Sequence, residues 1–135
     1  MKLFLDACII IYWVESAEPF HGRLMTLLKK LREQEPEAKF SISRLSFLEC
    51  RVHPLKQKNQ ELLDLYDQFF RSQDLGVVEL TPGVIDQATS LKVRYSLRTP
   101  DALQAASALS LKEEVIFLTG DKTFKKVESL TVTLV

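Results

Sequence analysis

The sequence predicts an α/β fold in which a mainly parallel sheet carries helices on both faces. Two observations lead there. Short apolar runs of strand length alternate with longer amphipathic stretches along the chain, the pattern of successive strand-helix-strand units. The first run, Leu3-Phe4-Leu5, stops on Asp6. An unbroken apolar run reads as a strand buried on both faces, with neighbours on either side. Its carboxyl end, where Asp6 stands, is where open α/β sheets place their ligands.

Taken in order, Ala7 to Val14 suits a short helix ended by Glu15, Ser16 and Pro19. Phe20, Leu24, Leu27, Leu28 and Leu31 recur at three- and four-residue steps, an amphipathic helix that Glu35-Pro36-Glu37 breaks. Lys39 to Ser43 alternates at period two, as a strand does. Ser43 is expected to cap a helix from Arg44 to about Val52, stopped by Pro54, and a further helix is expected from about Lys56 to Arg71. Val77 to Leu80 reads as a strand. Thr81-Pro82 opens a helix to about Tyr95, and Thr99-Pro100 repeats the device to open an alanine-rich helix through Ser110. Val115 to Leu118 is a buried strand, Thr119-Gly120-Asp121 a turn, and Leu130 to Val135 the last strand.

With 135 residues, 46% apolar and 27% charged, the chain is expected to form one domain over residues 1–135. Its 18 basic and 18 acidic residues cancel, so a polyanionic partner has to be held by a local patch. No apolar run approaches the roughly 18 residues that cross a bilayer, and no membrane partner is expected. Asp6 interrupts the apolar N-terminal run and no small-residue cleavage site follows, so this segment reads as structure rather than a signal peptide. Cys8 and Cys50 suit free thiols in a reducing cytoplasm.

Four carboxylates carry the chemical argument, and each also has an ordinary structural role available. Asp6 and Asp121 could be helix caps, and Asp101 could complement a helix dipole. Glu49 has Leu45 before it and Val52 after it at helical spacing, which puts it on the core-facing stripe. Asp101 leads Ala105, Ala108 and Leu109 on one stripe and points toward the sheet end. Neither has an obvious local partner. Like charges about 6 Å apart repel by roughly 3 kcal/mol at an effective dielectric near 20, so four acids gathered there would take up protons or bind a cation. Mg²⁺ or Mn²⁺ suits hard oxygen ligands, and His21, His53 and the two cysteines offer no zinc spacing. The chemistry such a site supports is phosphodiester hydrolysis.

In order and spacing, LFLDACIIIYW, ISRLSFLEC, RTPDALQAASAL and FLTGDKTF resemble the four acidic motifs of the PIN domain, most closely its VapC-type toxin branch. The resemblance implies a three-layer α/β/α sandwich around a mainly parallel sheet of about five strands. It implies a metal-dependent endoribonuclease, the toxin of a type II toxin-antitoxin pair, usually a homodimer and held inactive by a small antitoxin. By the same resemblance Asp6, Glu49, Asp101 and Asp121 are the metal-binding acids, with Thr119 a hydroxyl residue beside the fourth. Thr123 stands where many relatives carry a further acid, and Cys8 where they often have a small or polar residue.

Several basic residues could ring this centre: Arg44 and Arg51 flank Glu49, Arg94 and Arg98 precede Asp101, and Lys122, Lys125 and Lys126 follow Asp121. Of these, Arg98 and Lys122 are the candidate phosphate contacts. Tyr12 and Trp13 are expected in the core or at a dimer contact rather than on an RNA base. Two other readings compete. A haloacid-dehalogenase-like phosphatase also starts with a strand ending in aspartate, but needs a second acid where this chain has Cys8. A PIN-like domain that binds RNA or protein without cutting is the other.

Overall fold

The computed structural model describes all 135 residues. Five parallel strands form one sheet: β1 (Lys2–Leu5), β2 (Lys39–Ser43), β3 (Leu75–Val78), β4 (Val115–Thr119) and β5 (Val132–Leu134), in the order β3-β2-β1-β4-β5. β1 is the central strand, as its unbroken apolar run requires. Leu3 and Leu5 face one layer and Phe4 the other, and all three are fully buried.

On the Leu3 and Leu5 face lie α1 (Ala7–Val14), α2 (Phe20–Gln34), α3 (Leu45–Lys56) and α4 (Gln60–Phe70), which supply Ile9, Ile10, Leu24, Cys50 and Tyr66 to that core. On the Phe4 face lie α5 (Pro82–Tyr95) and α6 (Thr99–Leu109), with Phe4 stacked on Phe117 at 5.4 Å. Ala102, Ala105, Ala106 and Ala108 are buried, so the small side chains of α6 let it lie close to its neighbours. The three layers are those expected. After β1 the chain crosses to one side of it for β2 and β3, and later to the other side for β4 and β5. The crevice between the carboxyl ends of β1 and β4 is therefore the topological switch point.

The boundaries and caps differ from expectation in several places, the last strand being shorter than Leu130 to Val135 among them. α3 does not stop before Pro54 but runs through it to Lys56, because the buried proline forfeits only one ladder bond near the helix end. α4 starts at Gln60 rather than Lys56: Lys58 takes a positive φ of 54° and Asn59 caps the helix by accepting from the Leu62 amide at 3.1 Å. β3 is Leu75–Val78, not Val77 to Leu80, since its pairing ends where β2 ends, Ser43 opposite Val78. Thr99 is the first residue of α6 and not its cap; Arg98 takes the cap position and makes no side-chain cap bond. Ser43 likewise does not cap α3, although its hydroxyl accepts from the Leu45 amide at 3.2 Å. Thr81 caps α5 as expected, accepting from the Val84 amide at 3.2 Å.

Candidate active site

β1 delivers Asp6 to the switch point in extended conformation, and α1 starts on the next residue. One carboxylate oxygen accepts from the Ala7 amide at 2.9 Å, so the capping role is real. The other accepts from the Thr119 hydroxyl at 2.7 Å and lies 3.6 Å from the Cys8 thiol. Every one of these donors is neutral. Asp6 is only 8% exposed, and burial is the main reason its pKa is pushed up to about 6, with the negative charge of Glu49 adding to the rise. A carboxylate buried without a cation beside it is an electrostatic demand that its hydrogen bonds meet only in part.

The end of β4 supplies the neighbouring wall. The buried Thr119 hydroxyl donates to Asp6 and also accepts from the Asp121 amide at 3.0 Å, so one side chain ties two of the acids together. Asp121 accepts from the Thr123 amide at 2.9 Å and caps a short 3₁₀ helix, Lys122–Lys126. Hydrogen bonds from the Thr123 backbone and hydroxyl hold its carboxyl below the usual range, with a smaller contribution from Arg98 and Lys126. Thr123, standing in place of a further acid, thus supports the ionised form of the fourth one. Gly120 packs under Tyr12: a Cβ there would lie 2.8 Å from the Tyr12 hydroxyl oxygen, so any larger residue would push the Tyr12 side chain aside. The Gly120 amide donates to the Cys8 sulfur at 3.3 Å, which places Cys8 beside the site.

Glu49 and Asp101 come from the two opposite layers. The buried stripe of α3 is Ser46, Cys50 and Pro54, whereas Val52 is exposed, so the stripe expected from Leu45 and Val52 is not the one that faces inward. Glu49 is half-buried at its border and turns toward α6, where the Gln104 amide donates to it at 2.8 Å. Gln104 is 1% exposed and also donates to the Ser46 hydroxyl at 3.0 Å. Asp101 is buried on the inner stripe of α6, as its spacing predicted. It does have a local partner: Arg98, three residues earlier, donates to its two oxygens at 3.0 and 3.4 Å. Asp101 is the main reason the Arg98 pKa is raised, and Asp121 and Glu49 contribute as well. The Arg98 guanidinium therefore lies within the influence of three of the acids.

The four acids line one end of the sheet, but no three acidic, histidine or cysteine side chains converge into a finished ligand set. Glu49 is turned to Gln104, Asp101 to Arg98 and Asp121 to its own 3₁₀ turn. The donor set still fits a hard divalent ion: oxygen ligands only, one of them buried without a cation. Of the other basic residues, Arg44 pairs with Glu79 at 2.5 Å, Arg51 lies 4.0 Å from Asp67 and Arg94 3.9 Å from Glu128. Those three are engaged away from the acids. Lys122 is exposed on the 3₁₀ helix beside Asp121.

Gln104 escaped the sequence reading because a glutamine in an alanine-rich helix carries no motif. Its place three residues after Asp101, on the same inner face, is the signal that could have found it. The Ser107 hydroxyl, which donates to Ser43 at 2.9 Å, extends the same polar seam between α6 and β2.

Residues 3–130 match the family model described as the PIN domain. No curated protein sequence gives a significant match. Among solved structures, the chain is similar to VapBC2 from Rickettsia felis bound to a DNA fragment from their promoter, with a TM-score of 0.75, 17% identity and coverage of 99% of this chain and 98% of that one. It is similar to VapBC-1 from nontypeable Haemophilus influenzae, with a TM-score of 0.76, 16% identity and coverage of 98% and 97%. A third is VapBC-5 from Mycobacterium tuberculosis, a member of the VapBC family of toxin-antitoxin systems, with a TM-score of 0.63, 15% identity and coverage of 99% and 97%. At these identities the likeness is one of fold.

Proposed function

The chain belongs to the PIN domain family, and from that premise we propose that it is a metal-dependent endoribonuclease acting as the toxin of a type II toxin-antitoxin pair. The observation that carries the reading is Asp6: a buried carboxylate at the switch point of the sheet, without a cation of its own, within the influence of Glu49 and tied through Thr119 to the turn that carries Asp121. Asp6, Glu49 and Asp101 would hold Mg²⁺ or Mn²⁺, directly or through water, and Asp121 would complete the pocket. The bound ion supplies activation of the attacking water and stabilisation of the leaving oxygen in phosphodiester hydrolysis.

The chain's own residues prepare this arrangement. Thr119 fixes the Asp6 carboxylate and, through the Asp121 amide, the turn that carries the fourth acid. Gln104 orients the Glu49 carboxylate with a neutral donor. Arg98 pairs with Asp101, and its exposed guanidinium and Lys122 would be the contacts for a substrate phosphate.

The toxin assignment is supported by the toxin-antitoxin complexes to which the fold is similar. An apolar groove of about 440 Å³ between α3 and α4, with Leu48, Val52 and Leu55 exposed on its α3 side, supports a small antitoxin as partner. We assign the protein to the cytoplasm as a homodimer; no helix is long and apolar enough to cross a membrane.

The deciding experiment is RNA cleavage by wild type and Asp6→Asn in Mg²⁺, Mn²⁺ and EDTA. Cleavage that needs the metal and is lost in Asp6→Asn, with an unchanged circular dichroism spectrum, is the expected outcome. Activity that survives both EDTA and the substitution would overturn the nuclease assignment. Growth arrest on expression, relieved by the product of an adjacent small reading frame, tests the toxin role.

A further inference from the structure

Tyr12 and Trp13 are neighbours in sequence, yet the structure sends them to different places. Trp13 packs edge-on against Phe40 and Phe69 at the border of the core, at 5.2 and 5.5 Å. Tyr12 instead reaches the candidate site, its hydroxyl lying over Gly120 in the turn between Thr119 and Asp121. On its outer side the Tyr12 ring stacks on Phe20, with centroids 4.6 Å apart and planes within 13°. Phe20, the first residue of α2, is 37% exposed. His21 anchors this helix start to α1, its Nδ1 lying 3.1 Å from the Tyr12 carbonyl oxygen.

Beyond the aromatic pair the surface turns basic. The Arg23 guanidinium lies over the Phe20 ring, 5.8 Å from its centroid, so a base on that ring would take the place of the guanidinium, which is long enough to turn to the flanking phosphate. From Arg23 a shallow groove of about 570 Å³ follows α2 past Gly22 and Thr26 to Lys30. Both charged side chains lining the groove are positive, and they stand about 10 Å apart along the helix axis. The Glu18 carboxylate is turned to the Gly22 amide, from which it accepts at 3.2 Å. A chain without net charge needs such a local patch to hold a polyanion.

We propose that Tyr12, Phe20, Arg23 and Lys30 form a substrate strip for single-stranded RNA, with one base on the Phe20 ring and the flanking phosphates at Arg23 and Lys30. The inference rests on the ribonuclease reading and specifies what the same site accepts. An exposed aromatic step beside a basic groove is a platform for an unstacked base. A duplex keeps its bases stacked inside and presents only phosphates and groove edges, so the strip discriminates in favour of a single strand. Tyr12 joins the strip to the turn that carries Asp121, so the strip leads a bound strand toward the acids.

The test is binding of a short labelled single-stranded oligoribonucleotide in EDTA, read by fluorescence anisotropy and compared with a duplex of the same sequence. It is repeated in Mg²⁺ in the Asp6→Asn background. Phe20→Leu keeps an apolar contact on Tyr12 but removes the flat face, and should weaken single-strand binding about 5- to 100-fold, with little effect on the duplex. Phe20→Trp should restore it. Arg23→Ala should weaken binding and lower the slope of log affinity against log salt by about one. Lys112→Ala, an exposed lysine in the loop before β4, should bind as wild type does. Thermal melts show whether each variant is folded. Phe20→Leu and Arg23→Ala proteins that bind like wild type, or a Lys112→Ala protein that loses as much as Arg23→Ala, would overturn the strip while leaving cleavage by the wild type intact. A wild type that neither binds nor cuts RNA would remove both readings.

Discussion

The Thr119 hydroxyl donates to Asp6 at 2.7 Å and accepts from the Asp121 amide at 3.0 Å, so one buried side chain joins the ends of the two strands that form the switch point. Thr119→Val keeps the shape and removes both bonds. The Asp121 amide then loses its partner and Asp6 loses the strongest of the hydrogen bonds that favour its charged form. Supporting bonds to metal ligands are typically worth 10- to 100-fold in affinity or activity. Mn²⁺ affinity measured by calorimetry should fall by about that factor in Thr119→Val, and Thr119→Ser should retain most of it. Equal affinity in the valine variant would show that the bond is only structural.

Asp6 predicts the pH dependence of the metal-free protein. Its folded pKa is about 6 against an ordinary 3.8, so between those values the folded state binds the extra proton. Stability must then fall as pH rises from about 4 to about 6, and the full cost, about 3 kcal/mol, remains above that window. Asp121 is shifted the other way and contributes stability that is lost only at lower pH, as its carboxyl protonates. In EDTA, urea denaturation should show wild type losing stability across pH 4 to 6. Asp6→Asn should lack that slope, match wild type near pH 4 and exceed it at neutral pH.

The α/β class was legible because strands buried on both faces must be apolar and the connecting helices must be amphipathic, and β1 satisfied the first condition without ambiguity. Asp101 was legible for a similar reason, since its inner stripe is built of alanines. The stripe drawn through Leu45, Glu49 and Val52 was misleading: the inward side of α3 is made of Ser46, Cys50 and Pro54, residues that hydropathy does not mark as core. Glu49 faces the site through a polar contact with Gln104 rather than through an apolar stripe. Arg98 was expected to face substrate, yet it folds back on Asp101, a pairing that its spacing of three residues made available. Tyr12 and Trp13 could not be separated by sequence, because which of two adjacent aromatic residues lies under a turn depends on the docking of α1 against β4.

Gln104 links the layers by donating to Glu49 on α3 at 2.8 Å and to Ser46 at 3.0 Å. Its own carbonyl oxygen has no partner, although it is buried. Gln104→Leu removes two bonds but also removes this unsatisfied oxygen, so the stability cost should be small, about 1 kcal/mol by urea denaturation. The loss should appear instead in metal affinity, by about 10-fold or more, because Glu49 is freed to rotate. Gln104→Glu brings a like charge against Glu49 and should be worse than leucine at neutral pH. A leucine variant with wild-type Mn²⁺ affinity would refute the orienting role.

Tyr66 separates fold stability from the site. Its side chain is fully buried on α4, and its hydroxyl donates to Glu15 at the end of α1, a contact that ties the helix following Asp6 to α4 in the same layer. Burial is the main reason its pKa is raised, with the hydrogen bond to Glu15 next, so the hydroxyl stays protonated and the bond persists across the neutral range. Tyr66→Phe leaves the ring packing intact and removes only the donor. Hydrogen bonds to charged groups contribute about 1.5–3 kcal/mol, and the exposure of Glu15, which water can solvate once the bond is gone, puts the expected loss at the lower end. Urea denaturation should show that loss at pH 7, while Mn²⁺ affinity and RNA cleavage per folded molecule stay unchanged. A Tyr66→Phe protein of full stability but reduced metal affinity would mean that the tether positions α1, and with it Asp6, rather than stabilising the packing of α1 against α4.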